Sequence, residues 1–434
     1  MAAEGDGSLR RLVARVFNLK GNEATAVVAG FALFFLLFCG YFLLRPVRET
    51  MGVAGGVRNL QWLFTGTFVA TLAAMPLFGW LATRVRRRRI LPWTFAFFAA
   101  NLALFALGFS LRPDEVWLAR GFYIWLSVFN LIAISVAWSL LADLFALAEA
   151  KRLFALMAAG ASLGGLTGPL LGIALVGTVG HAGLLLLASV LLAACIWVAR
   201  ALQRWREAHP LDPAQPLARA PPLGGSPIAG LTEVLRSRFL MGIAVFVLLL
   251  ASVTTFLYFE QARLVEARYP DPVDQTRVFG TIDAIVQTLA ILTQLFVTGR
   301  IAQRLGVGVL LVAVPLVVAG GFLWLAYAPV FAVLAVVMVV RRAGQYAFVR
   351  PGREMLFTVV PAEAKYKAKN FIDTVVYRGA DAVSGWVKTG VDMVSASPAV
   401  AAVFGAAIAL AWATTGGMLA RRQHRITADS PQPL

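Results

Sequence analysis

The chain has 434 residues, of which 59% are hydrophobic and only 14% are charged, and its mean hydropathy is +0.77. An ordinary soluble domain is about 45–50% apolar and about 25% charged, so this composition excludes a water-soluble globular protein and indicates helices that face lipid. The 39 Lys and Arg residues outnumber the 22 Asp and Glu residues and give a net charge of +17. In a soluble protein that excess would indicate nucleic-acid binding, but here the cations must first be placed relative to the bilayer.

The N-terminal residues are mostly polar and lack the basic region, apolar core and cleavage site of a secretory signal. We therefore expect residues 1–23 to form a cytoplasmic tail and the first apolar segment to remain as a helix. Cys39 and Cys195 lie in separate apolar runs. Neither a disulfide framework nor a metal site is expected from them.

Twelve apolar runs are long enough to cross a bilayer, because a hydrocarbon core about 30 Å thick needs about 20 residues of helix. They lie near 24–44, 61–82, 90–111, 117–142, 153–178, 182–201, 239–260, 278–299, 308–327, 329–349, 367–390 and 399–420. We predict an all-α membrane protein with two pseudo-symmetric six-helix bundles, 24–201 and 239–420. A cytoplasmic linker rich in Pro, Gly and Arg, 202–238, joins them, and 421–434 forms a cytoplasmic tail.

Short loops rich in Lys and Arg remain cytoplasmic, which orients the helices. The run Arg84, Arg86, Arg87, Arg88 and Arg89 and the cations of the linker and tails fall on one side. Both termini are therefore expected to be cytoplasmic, in a bacterial inner membrane.

The two halves of the chain share a short sequence pattern, since Glu149-Ala150-Lys151 and Glu363-Ala364-Lys365 are 214 residues apart. Such a parallel repeat is typical of major facilitator transporters, whose substrate site lies near the midplane between the halves.

An Arg-Pro-x-Arg-Glu motif occurs twice, after the first predicted helix and after the tenth. The two copies are Arg45-Pro46-Val47-Arg48-Glu49 and Arg350-Pro351-Gly352-Arg353-Glu354. The planar guanidinium binds phosphate or carboxylate with two parallel hydrogen bonds, and a cation in a low dielectric is costly unless it is paired or functional. Two interpretations stay open for these arginines: ion pairs at helix ends, or contacts with an anionic substrate.

The eleventh predicted helix is the most polar, with Asp373, Arg378 and Asp381 inside one span. Such residues must face the bundle interior or a wet cavity. Arg378 and Asp381 are three residues apart, so they either neutralise each other or line a pathway. Asp283, Asp373 and Asp381 are candidates for proton or ion coupling.

The fifth predicted helix has glycines four residues apart on one face, which predicts close helix packing. These are Gly160, Gly164, Gly168 and Gly172.

Three segments resemble the ATP/ADP antiporter family of plastids and intracellular bacteria, which shares the major facilitator architecture. They are LLRPVRETMGV at 43–53, EAKRLFALMAAGASLGGLTGPLLG at 149–172 and VRPGREMLFTVVPAEAKYKAKNFIDTVV at 349–376. The resemblance implies that the family's substrate-binding basic residues correspond to Arg48 and Arg353, and its Lys-Gly-Lys pair to Lys367 and Lys369. Glu49, Glu260 and Glu354 match acidic positions of the family. The acidic residue of its fourth helix falls near Leu126, which departs from the family pattern.

The expected function is secondary-active transport by alternating access, with ATP/ADP-type exchange implied by the resemblance. Arg48 on the outer side and Arg353 on the inner side would contact substrate phosphates in turn. The competing interpretations are a proton-coupled carrier of another small organic solute and a membrane scaffold or sensor without transport. We expect a monomer that contacts membrane lipid and a small anionic substrate, with no cofactor, no nucleic-acid partner and no enzymatic activity.

Overall fold

The computed structural model describes residues 23–211, 230–395 and 397–429, and every regular element in these ranges is a helix. Residues 1–22 of the predicted tail, 212–229 of the predicted linker and the last five residues lie outside the described ranges. The predicted all-α class is confirmed for the part of the chain that the structure describes.

The first helices match the predicted apolar runs closely. They are α1 Glu23–Ala54, α2 Leu60–Arg84, α3 Arg87–Leu111 and α4 Val116–Leu144. A continuous helical run, Leu147–Ala208, follows, but Gly180 interrupts it with φ 65°, a conformation that residues with a side chain rarely adopt. We therefore name its two parts α5, 147–179, and α6, 181–208.

The second half begins with a short helix, Leu231–Arg236, followed by α7, Arg238–Arg268. Gly306, with φ 76°, separates α8, 272–305, from α9, 307–327. Three longer elements complete the chain, and two of them contain a π-helical turn. They are α10, Phe331–Gly344 continued through Gln345–Val349 and Arg350–Leu356; α11, Ala362–Phe371 continued through Ile372–Val376 and Tyr377–Val394; and α12, Pro398–Asp429.

Nine helical segments in the described residues are long and apolar enough to cross a membrane. Two of them, Leu147–Ala208 and Pro272–Tyr327, have 62 and 56 residues. At 1.5 Å per residue they would extend about 93 and 84 Å, far beyond a core about 30 Å thick, so each crosses twice and turns at its glycine. The helix α11 is long enough for one more crossing but carries several charged residues and is not among the nine. Within the described ranges these helices account for the twelve predicted crossings.

Packing groups the chain into two compact units, which divide α1, α2 and α4 within their lengths. Unit 1 comprises Met1–Leu44, Phe78–Leu111 and Phe129–Leu223, and unit 2 comprises Arg45–Leu77, Arg112–Val128 and Gly224–Leu434. This grouping by contacts is a different property from the sequence repeat. The repeat boundaries 24–201 and 239–420 stay a prediction.

Unit 1 is held together by a close approach of α1 and α5. A Cβ added at Gly160, Gly164 or Gly168 would lie under 3.0 Å from a backbone carbonyl oxygen of α1, closer than real Cβ atoms come. Only glycine permits this backbone separation, which is how small residues stabilise helix pairs in lipid. Around this contact Phe34 packs on Trp138 with ring centroids 4.5 Å apart, and Arg152 donates to Glu23 at 2.8 Å.

Unit 2 has two buried apolar clusters. The larger one lies among α7, α9, α10, α11 and α12 and is built around Phe246 and Trp412, whose ring centroids are 5.6 Å apart. The smaller one lies where α1, α2 and α4 meet α7 and α8, and it contains Leu60, Tyr123 and Phe259. The smaller cluster borders the polar residues described in the next subsection.

We predict that Gly164→Ala destabilises the protein, because its Cβ would lie under 3.0 Å from the Phe35 carbonyl oxygen. Forcing α1 and α5 apart is expected to cost about 2 kcal/mol of unfolding free energy. The matched control is Gly172→Ala on the same helix, whose Cβ would first meet Leu43 Cδ1 at 3.6 Å and should be neutral or slightly stabilising. Thermal unfolding in detergent measures both, and equal melting temperatures for the two variants would contradict the packing assignment.

Candidate functional site

The most deeply buried charges of unit 2 surround Asp283, whose side chain is 3% exposed. One of its carboxylate oxygens, Oδ1, accepts from Arg45 Nη1 at 3.3 Å and also forms an ion pair with Arg342. Arg341, beside Arg342 in the chain, is 4% exposed. We call these four residues the arginine cluster: Arg45, Asp283, Arg341 and Arg342. The cluster therefore contains three positively charged guanidinium groups and one negatively charged carboxylate.

Arg341 is the member of the arginine cluster whose charge is least compensated. Its Nη1 donates to Thr254 Oγ1 and to Gln345 Oε1, both at 2.9 Å. Its Nε has no hydrogen-bond partner, and no carboxylate lies within ion-pair distance of it among the described residues. Because α10 begins at Phe331, Arg341 lies about 15 Å along this helix, which is half the thickness of a hydrocarbon core. An arginine at that depth is costly unless it has a function.

The first Arg-Pro-x-Arg-Glu motif lies next to the arginine cluster on α1. Arg48 donates to the neighbouring Glu49 at 3.0 Å, and its guanidinium lies 3.8 Å from the ring centre of Tyr123. Two residues further on, the hydroxyl of Thr50 shares a hydrogen bond of 2.7 Å with that of Thr276. The structure therefore contains the ion pair that was one of the two interpretations of Arg48, together with a cation–π contact that the sequence did not indicate.

The second motif forms a network with α11. Arg353 Nη1 lies 2.8 Å from Asp373 Oδ1, and Lys369 Nζ donates to Glu354 Oε2 at 2.6 Å. Arg353 also lies 4.0 Å from Glu354, its neighbour in the motif. We call these four residues the α10–α11 network. The structure thus brings together four of the residues predicted for the site.

Other predicted residues lie apart from these two groups. Glu260 pairs with Arg263 on its own helix, and Lys367 donates to Glu363 at 2.7 Å. The hydrogen bond from Lys367 lowers the pKa of the exposed Glu363 carboxyl. Arg350 is exposed, and Leu126 is fully buried in α4. The ion pair of Glu260 in this structure is therefore with Arg263 and not with a motif arginine.

Arg378 and Asp381 form an ion pair, one of the two alternatives that the sequence left open, with 3.5 Å between Nη1 and Oδ2. Asp381 also accepts from Thr255 Oγ1 at 3.2 Å. Thr255 follows Thr254, the hydrogen-bond partner of Arg341, so α7 connects this pair to the arginine cluster. All three carboxylates named as coupling candidates, Asp283, Asp373 and Asp381, form ion pairs with arginine side chains.

Three π-helical turns lie beside these groups, and π-helical turns are frequent at functional sites. One, Gln345–Val349, follows Arg341 and Arg342 directly and supplies Gln345. Another, Ile372–Val376, contains Asp373. The third, in α8, supplies Thr298, whose hydroxyl donates to the Ala347 carbonyl at 2.9 Å. A backbone carbonyl in the π-helical turn of α10 is thus bound by a side chain from the neighbouring helix.

Arg341 and Arg342 were not among the site residues predicted from the sequence. Two adjacent arginines inside an apolar run were a visible signal, because buried cations are rare in membrane spans. Their partner was not visible, since Asp283 lies on a different helix and 59 positions earlier in the chain. The contact with Thr254 was equally beyond the reach of helical spacing rules.

We predict that Asp283→Asn destabilises the protein by about 3 kcal/mol, because it leaves Arg45 and Arg342 without their shared carboxylate in a buried position. The control is Asp274→Asn on the same helix, whose pair with Arg277 is about half exposed on both sides. A surface pair contributes between 0 and about 1 kcal/mol. Thermal unfolding of the two variants in the same detergent checks the prediction, and a smaller effect at Asp283 than at Asp274 would refute it.

Comparison with known proteins gives one family match. A model of the Major Facilitator Superfamily matches residues 26–364. No curated protein matches the chain. The three solved structures described next are 14% or 15% identical to this chain, so these likenesses concern the fold alone.

Three solved structures illustrate the likeness. A bacterial homologue of the human lysosomal transporter Spinster, in an inward-facing and unoccupied conformation, is 14% identical over 94% of this chain and 95% of that one, with a TM-score of 0.56. The human organic anion transporter MFSD10 (TETRAN) is 15% identical over 92% of this chain and 100% of that one, with a TM-score of 0.59. The nucleoside transporter NupG is 14% identical over 93% of this chain and 100% of that one, with a TM-score of 0.60. The family match covers well over half of the sequence, and the chain therefore belongs to the Major Facilitator Superfamily and has the fold of its membrane transporters.

Proposed function

We propose that this protein is an antiporter of phosphate-bearing organic anions, with ATP and ADP as the exchanged pair, and that it works by alternating access in a bacterial inner membrane with both termini cytoplasmic. The main observation in favour of an anionic substrate concerns Arg341. This buried cation lies at mid-membrane depth and has no carboxylate partner among the described residues. An isolated cation in such a position is strongly unfavourable, and an anionic substrate would compensate it.

The surrounding charges favour the same substrate class. The arginine cluster and the two ion pairs next to it contain five arginines and three carboxylates. The arginines are Arg45, Arg48, Arg341, Arg342 and Arg378, and the carboxylates are Glu49, Asp283 and Asp381. The excess of two positive charges suits an anion with several charges. Phosphate groups match the guanidinium geometry through paired hydrogen bonds, which are stronger than those between neutral groups.

The two Arg-Pro-x-Arg-Glu motifs would then bind phosphate in turn. Arg48 is held by Glu49 and Arg353 by Asp373. Each arginine has a carboxylate whose place a phosphate oxygen can take with similar geometry, so the arginine need not be left unpaired during exchange. Among the proteins of similar fold, one is described as a nucleoside transporter and another as an organic anion transporter. A nucleotide contains a nucleoside and is also an organic anion.

A counterflow assay tests the substrate class. In proteoliposomes loaded with ATP, we expect uptake of labelled ADP that depends on the internal nucleotide. Liposomes without protein and proteoliposomes loaded with buffer alone are the controls. Uptake that follows an imposed pH gradient without any internal anion would instead establish the proton-coupled carrier. Absence of both uptake and ligand-induced stabilisation across a panel of nucleotides and organic anions would establish the scaffold or sensor.

We predict that Arg341→Gln lowers the exchange rate by about ten- to a hundred-fold, the loss expected for one charge-assisted hydrogen bond. Thermal stability without substrate should stay constant or rise, because the variant removes an uncompensated buried charge. Nucleotide should stabilise the wild type but not the variant. The matched control is Arg304→Gln at an exposed position of α8, which should leave exchange unchanged. A large loss of stability with normal exchange would make Arg341 a structural residue.

A further inference from the structure

A second arginine-rich site lies in unit 1, on α3 and α6. These helices enclose a cavity of about 750 Å³, within the size range of small-molecule sites. Its polar end is lined by Arg86, Arg88, Arg89, Arg200, Gln203 and Arg204, and its apolar end by Pro92, Trp93, Ala96 and Ile196. We call this cavity the α3–α6 groove. Neither the substrate pathway nor the proposed exchange uses it.

The groove changes from charged to apolar along both helices. On α6, Arg204, Arg200 and Ile196 are spaced four residues apart, so they share one face and run inward from the helix end. On α3, Arg89, Trp93 and Ala96 follow the same order over about 10 Å. Gln203 joins the two helices by donating to the Arg88 carbonyl at 3.0 Å. A ligand for the groove therefore has a charged group attached to an apolar body.

Most of the positive charge in the groove is not neutralised by the protein. Arg88 pairs with Glu207 at 2.5 Å. The other four have no carboxylate partner among the described residues: Arg86, Arg89, Arg200 and Arg204. The groove therefore suits an anion with more than one charge.

Two tryptophans at the groove are exposed. Trp93 is 63% exposed, and Trp197, next to Ile196, is 71% exposed. Exposed tryptophans near the ends of membrane-spanning helices are typical of the interface with headgroups, where basic pockets between helices bind anionic lipids. We propose that the α3–α6 groove binds an anionic phospholipid whose headgroup carries two phosphates, with the arginines on the phosphates and an acyl chain along Trp93 and Ile196.

The test is binding of cardiolipin, which carries two phosphates, to the detergent-purified full chain by native mass spectrometry. We expect Arg200→Gln/Arg204→Gln to weaken binding about ten-fold or more. The matched control, Arg421→Gln/Arg422→Gln, removes two exposed arginines of α12 that do not line the groove and should bind like the wild type. Phosphatidylethanolamine, with no net charge, should bind the wild type weakly.

Two further arms distinguish the lipid from a soluble phosphate compound and from a folding defect. Pyrophosphate, which has the two phosphates without acyl chains, should not displace cardiolipin, and efficient displacement would overturn the lipid assignment. Equal weakening in the groove and control variants, or no weakening in either, would also overturn it. If the double variant does not fold, Arg86→Gln alters a residue just before α3 and should weaken binding by several-fold. Nucleotide exchange is measured separately, so failure of one proposal leaves the other testable.

Discussion

The shared carboxylate of Asp283 is the interaction on which the polar interior of unit 2 depends. A cation in hydrocarbon is tolerated only when a partner or a function compensates it, and Asp283 compensates two arginines with a single oxygen atom. One of them, Arg45, comes from the first half of the chain, and the other, Arg342, comes from the second. The bridge therefore joins α1, α8 and α10, and Arg341, the neighbour of Arg342 in the chain, is bound beside it by Thr254 and Gln345.

The two Arg-Pro-x-Arg-Glu motifs show how one sequence pattern serves two environments. Arg48 pairs with the Glu of its own motif and lies over the ring of Tyr123, so its contacts are local to α1 and α4. Arg353 reaches Asp373 on another helix, while the Glu of its motif binds Lys369. The difference follows from the surroundings: α11 presents charged side chains to α10, whereas α4 presents an aromatic ring to α1.

Sequence reasoning predicted the helices well because span length and hydropathy are local properties. It placed the turns near 180 and 306 correctly, where positive-φ glycines end two crossings within continuous helical runs. It also named as site residues two of the charged residues that the structure buries, Asp283 and Asp381, but not Arg341 or Arg342. It did not predict the partners of Asp283 or Arg341, because those contacts join helices that are distant in the chain. The π-helical turn that supplies Gln345 was equally invisible, since its backbone is bound by the side chain of Thr298 from α8.

The close glycine contacts of unit 1 and the buried ion pairs of unit 2 differ in how readily they can change partner. In unit 1, backbone approaches at Gly160, Gly164 and Gly168 are fixed by sterics and have no alternative partner. In unit 2, the buried polar groups beside the apolar clusters form ion pairs, and a guanidinium can exchange a carboxylate for a phosphate without losing its hydrogen bonds. An alternating-access cycle needs interactions that can change partner at small net cost. The arginine cluster and the α10–α11 network have that property, and the glycine stripe of α5 does not.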